Sequence, residues 1–205
     1  LLLLVPAMYF IPEKIIDTKL IERYYTSQNA SKVNHQEYRN IEKKLFNPPY
    51  VLMKEGQSKK LLAASYIDHF SYCKTSCYVF NGNVKPSLKK GLVSILNSRL
   101  TTYFLFLTSS SWGIERERVL MNEVLESPAL LPLLRNDTLE EVVSSFDSIL
   151  SSKKSNNTFT ETDFQSIENK INSIIIDDIL KFSINGRTTV NDCLEFNLDL
   201  FENKE

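Results

Sequence analysis

Glycine is scarce in this chain, with five among 205 residues and none before Gly56. A glycine-rich loop that lets backbone approach a nucleoside cofactor therefore has nowhere to form in the first quarter of the sequence. Cysteine is scarce too. Three is a small and odd number, which argues against a disulfide framework and for free thiols in a reducing, intracellular setting, hence a cytoplasmic protein. Long apolar runs are missing: none reaches the roughly 18 residues that a spanning helix needs. With a mean hydropathy of −0.20, the expectation is a soluble protein with no membrane partner.

What is present suffices for a core. Hydrophobic residues make up 42% and charged residues 24%, which excludes disordered and collagen-like classes. The length allows one domain plus a smaller appendage. Leu1 to Tyr9 is apolar with no basic flank ahead of it, a poor match to a secretory signal. The chain reads instead as a fragment of a larger polypeptide.

The net charge of −1 hides a partition. Residues 1–50 carry +2, residues 51–120 carry +6 and residues 121–205 carry −9. A basic middle suits a polyanion, while the acidic tail suits solvent or a basic neighbour.

Along the chain, Ile15, Ile16, Leu20, Ile21 and Tyr24 recur at helical spacing, so a helix and then a polar loop are expected between Ile11 and Phe46. Short apolar runs at 50–53, 62–67 and 77–80, bounded by charged or Asn-Gly-Asn punctuation, predict three strands. Pro86 opens a helix expected to run to about Leu107, followed by the Ser109-Ser110-Ser111-Trp112-Gly113 loop. A strand with a helical turn is expected over 114–125. Asp137-Thr138-Leu139-Glu140 caps a helix to Leu150, the polar stretch 151–160 reads as a linker, and helices are expected near 162–180 and 189–201. The fold class is α+β: a mixed sheet with a long helix over 1–135, then a small helical region over 136–205.

Three constellations could carry chemistry. Asn47-Pro48-Pro49-Tyr50 matches the box with which DNA amino-methyltransferases hold an extruded adenine. Here it follows a charged stretch rather than a buried strand, so a strand-entry turn is the better reading. His69, Cys73 and Cys77 have a loose metal-ligand spacing, but their Tyr- and Val-rich surroundings favour strands and free thiols. Ser109 to Ser111 have no recognisable His and acid partners for a serine nucleophile.

The run from Asn97-Ser98-Arg99 through Ser111-Trp112-Gly113 to Arg116-Glu117-Arg118 resembles the C-terminal part of bacterial restriction-modification DNA adenine methyltransferases. The order around it is similar to their target-recognition domains: Phe46, Pro49, Val51-Leu52-Met53-Lys54 and Gly56; Ala63-Ala64 and Tyr66-Ile67-Asp68; Leu96-Asn97-Ser98; then Glu123 and Pro128. The likeness covers about residues 40–132 and is loose beyond 137. It implies a mixed α/β module that holds double-stranded DNA and reads its sequence. A separate Rossmann-like catalytic domain of the same polypeptide would transfer methyl from S-adenosylmethionine, so this fragment itself would hold no cofactor. It also implies that Asn47 to Tyr50 lie outside the active site, since the family's box sits in that other domain.

Under this reading the DNA-contacting set is Lys54, Lys59, Lys60, Lys85, Lys89, Arg99, Ser110, Trp112, Arg116 and Arg118. Most of the cations would touch phosphate. Arg116 and Arg118, beside the Trp112 loop, are the candidates for base edges, because a guanidinium fork matches guanine. Trp112 fits a core or hinge anchor better than a DNA wedge. The rivals are a fragment with an active Asn-Pro-Pro-Tyr box, and a protein-interaction module that docks a basic subunit on its acidic helices.

Overall fold

The computed structural model describes residues 9–10, 14–33, 38–39, 43–56, 61–73, 76–109, 118–126, 138–155 and 161–179, with single positions between 181 and 192. In chain order the strands are β1 (Tyr9–Phe10), β2 (Lys14–Ile16), β3 (Tyr24–Tyr25), β4 (Ser31–Val33) and β5 (Tyr38–Arg39), then β6 (Tyr50–Lys54), β7 (Ala64–Ile67), β8 (Tyr72–Cys73) and β9 (Cys77–Phe80). The helices are α1 (Pro86–Leu96), α2 (Arg99–Thr108), α3 (Met121–Leu125), α4 (Leu139–Ser155) and α5 (Glu161–Ser173). A π-helical turn, Ile174–Ile179, continues α5. The fold is α+β.

The central sheet has the order β3-β7-β6-β9, with β6 antiparallel to both neighbours and β3 parallel to β7. A second sheet has the order β4-β2-β8, and β1 pairs with β5. Side chains alternate along β6 as the pleat requires. Val51 and Met53 join the cluster formed with the helices, while Tyr50 and Leu52 join the one around Ile15, Ile16 and Phe46 of the second sheet's side. Burial on both faces explains why Tyr50 to Met53 is an unbroken apolar run. The three strands expected between 50 and 80 are β6, β7 and β9.

Four expectations are corrected. The apolar positions between Ile11 and Phe46 do not form a helix: Ile15 and Ile16 lie in β2, Leu20 in a 3₁₀ turn and Tyr24 in β3. Five apolar residues at mixed spacing fit either period. Pairing decides it, since β2 bonds to β4 and β8, and β3 to β7. Tyr24 is held there at φ 69°, fully buried, with its hydroxyl donating to Glu168 at 3.0 Å.

The helix expected from 86 to 107 is two helices, broken at Asn97-Ser98. Ser98 caps α2 by accepting from the Thr101 N–H, and Asn97 turns its carboxamide onto the backbone of Ala64. The linker expected at 151–160 begins as helix, because α4 continues to Ser155. Lys153 and Lys154 in that last turn pair with Glu22, ahead of β3, and Asp68, just past β7, which fasten it to the central sheet. The thiols expected at Cys73 and Cys77 are joined in a disulfide.

Residues 156–160 and most of 180–205, including the helix expected near 189–201, lie outside the described residues, as do 110–117. Val142, Phe146 and Ile149 of α4 and Ile171 of α5 share one buried cluster with Tyr24, Val51 and Tyr66. The apolar faces of α4 and α5 therefore pack on this chain's own sheet. Phe146 meets Tyr24 and Tyr66 with ring centroids 6.2 and 5.9 Å away.

Candidate nucleic-acid interface

The direction of each strand divides the candidate cations. β6 runs from Tyr50 to Lys54, about 13 Å at the usual rise of a strand. β9 runs back, pairing Cys77 with Lys54 and Phe80 with Val51, so Lys85 and Lys89, which follow it, start at the Tyr50 end. α1 then returns along the sheet. At its end Asn97 bonds Ala64, whose partner across the sheet is Met53, and this brings Arg99 back to the Lys54 end. Arg118 pairs with Gly56 as an isolated bridge, two residues beyond Lys54.

One end thus gathers Lys54, Arg99 and Arg118, and the other holds Lys85 and Lys89. Lys59, Lys60, Ser110, Trp112 and Arg116 lie outside the described residues.

Lys89 is 7% exposed, and its ammonium donates to the Pro49 carbonyl and to Asn81 Oδ1, each at 2.7 Å. Burial lowers its pKa. Asn81 in turn donates to the carbonyls of Leu45 and Asn47, at 3.0 and 2.8 Å. This lysine braces the turn that leads into β6, through the cis bond between Pro48 and Pro49. Its charge lies inside the scaffold. Lys85 is exposed at the start of α1, on the lip of a groove of about 1150 Å³ between α1 and α4 that also carries Leu88, Val143 and Asp147.

The Asn-Pro-Pro-Tyr box exposes Asn47 and Pro48 but not its ring. Tyr50 is fully buried, edge-on to Phe46, with its hydroxyl donating to the Ser71 carbonyl at 2.6 Å. A ring in that position cannot stack on an extruded adenine. The ring face that the rival reading needs for stacking is covered in this structure.

At the Lys54 end, Lys54 and Arg99 are half-buried and Arg118 is exposed. Burial lowers the pKa of Lys54, and the field of Glu22 works in the opposite direction. The Arg118 side chain is 56% exposed, with one guanidinium nitrogen 3.9 Å from Glu55. Glu55 also accepts the Val119 N–H at its carbonyl, 2.9 Å away, and the Tyr78 hydroxyl donates to the Val119 carbonyl at 3.0 Å.

Glu123 of α3 ties the segment on both sides. One of its carboxylate oxygens accepts from the Ser109 hydroxyl at 2.8 Å and from the Leu120 N–H at 2.9 Å. The two flanks of residues 110–117 are thereby pinned to a single atom. Neither Glu55 nor Glu123 was marked as functional from sequence. Glu123 was visible only as a position in the resemblance, and long-range pairing of this kind leaves no periodic signal.

No protein-family model and no curated protein matches the chain. Among the described residues no helix is long and apolar enough to cross a membrane.

Proposed function

We propose that this chain is the target-recognition part of an adenine-specific DNA methyltransferase of a restriction-modification system, non-catalytic by itself, and that it holds double-stranded DNA at the Lys54–Arg118 end of its central sheet. The observation that carries the reading is the double tie of Ser109 and Leu120 to Glu123, beside the half-exposed Arg118. A groove-reading element needs donors for base edges on a backbone fixed by the fold, because a base contact discriminates only if its register is set. Lys54 and Arg99 supply positive charge at the same end. Methyl transfer and S-adenosylmethionine belong, on this reading, to a separate catalytic domain of the same polypeptide.

The test is a salt titration of binding to duplex DNA, in the chain and in the full-length protein. Affinity falls by about 0.9 log unit per log unit of salt for each phosphate neutralised, and the Arg118→Ala variant binds more weakly. Binding that is absent or insensitive to salt in both forms refutes the reading. Calorimetry with S-adenosylmethionine yields no binding heat from the chain alone.

A further inference from the structure

We propose that the Cys73–Cys77 pair is a redox-responsive element that sets the position of Arg118, and so regulates the DNA-binding end proposed above, on which reading the inference rests.

The pair stands at a junction. Cys73 closes β8, a strand of the second sheet, and Cys77 opens β9, the edge of the central one. Cys77 sits directly opposite Lys54 in the β6–β9 register. Opposed residues of an antiparallel pair project to the same face, so Lys54 and Cys77 share one face of the central sheet. Both cysteines are half-buried rather than sealed in the core.

From this pair, hydrogen bonds lead to Arg118. Ser76, inside the five-residue ring that the disulfide closes, is at φ 72°, the left-handed region that residues with a Cβ adopt uncommonly. In that conformation its carbonyl accepts the Glu55 N–H at 3.1 Å. The Glu55 carbonyl accepts from Val119 N, its carboxylate faces Arg118, and Gly56 bridges to Arg118. Opening the ring removes the covalent constraint on Ser76. The residue is then free to return to the right-handed or extended regions, which withdraws the acceptor that Glu55 uses and loosens the Val119–Arg118 attachment.

The chemistry balances with a small thiol as reductant. Two thiols attack in succession through a mixed disulfide, one electron pair and two protons pass to Cys73 and Cys77, and the small thiol leaves as its own disulfide.

The experiment titrates the intact chain with mixtures of reduced and oxidised glutathione and reads three quantities. Free thiols rise from one, the third cysteine Cys193, to three. Emission from Trp112, the chain's single tryptophan and six residues from Arg118, shifts over the same potential range. Affinity for duplex DNA weakens by about threefold or more on reduction. Cys77→Ser holds emission and affinity at the reduced values and abolishes their response, and the wild-type titration stands if that variant fails to fold.

An emission shift without DNA binding in either state supports the switch and overturns the DNA reading. A rise from one thiol to three with emission and affinity unchanged overturns the switch. So does a count of three that persists in excess oxidised glutathione.

Discussion

Asn97 offers the sharpest test of how this sheet is finished. Its side chain is 1% exposed, accepts from the Ala64 N–H at 3.1 Å and donates to the Ala64 carbonyl at 2.8 Å and the Val93 carbonyl at 2.9 Å. Ala64 lies one residue before the point where β3 begins to pair with β7. The carboxamide therefore stands where the next strand's peptide would be and satisfies both backbone groups at once. Asn97→Ala leaves that donor and acceptor buried and unpaired at about 1–3 kcal/mol each, while Val93 keeps its bond from the Asn97 N–H. The expected loss is about 3–4 kcal/mol, read as a lower urea midpoint at unchanged slope. Asn97→Asp is at least as damaging, because a carboxylate cannot donate to the Ala64 carbonyl and brings a buried charge. A loss below about 1 kcal/mol for the alanine variant refutes the reasoning, since Ala64 would then have another partner.

Other perturbations follow from the same packing. Phe146→Ala empties the contact between Tyr24 and Tyr66 and costs about 3–5 kcal/mol in chemical denaturation. Tyr50→Phe removes the hydroxyl from Ser71 and costs about 1 kcal/mol by the same assay, with the fold retained. Burial holds the His69 imidazole below its usual 6.5, against the opposing pull of Asp68. The neutral ring is then the folded form, so its contribution is present above pH 6.5 and is lost as pH falls below that value. Melting temperatures at pH 7 and pH 5 should differ more for the wild type than for His69→Gln.

Much of the sheet could be read from the sequence because its strands are short, apolar on both faces and bounded by polar turns. Tyr50 to Lys54 and Cys77 to Phe80 needed no partner to be recognised. The N-terminal third was misread because Ile15, Ile16 and Tyr24 become strands only through neighbours such as Ser65 and Tyr72, more than 40 residues away. The break at Asn97-Ser98 was hidden inside an apolar rhythm that continues on both sides of it. The polar end of α4 looked like a linker because what stabilises it, Glu22 and Asp68, is remote in sequence. At the candidate site the cations were visible as a +6 segment, but their division between two ends of the sheet depends on strand direction, which charge counting ignores. Lys89 shows the limit of such counting, since its partners are backbone and amide oxygens rather than any opposite charge.

The bond from Tyr24 to Glu168 joins residues 144 positions apart, and Arg23 pairs with the same carboxylate. A ribosome adding ~5–20 residues per second needs roughly 7–29 s to bring the second partner into being after the first. Within that interval β7 and then α4 are made, so the Tyr24 ring gains its strand neighbour and the Phe146 ring before its hydroxyl gains a carboxylate. α5 comes last and closes the polar end of a ring that its neighbours already wall in.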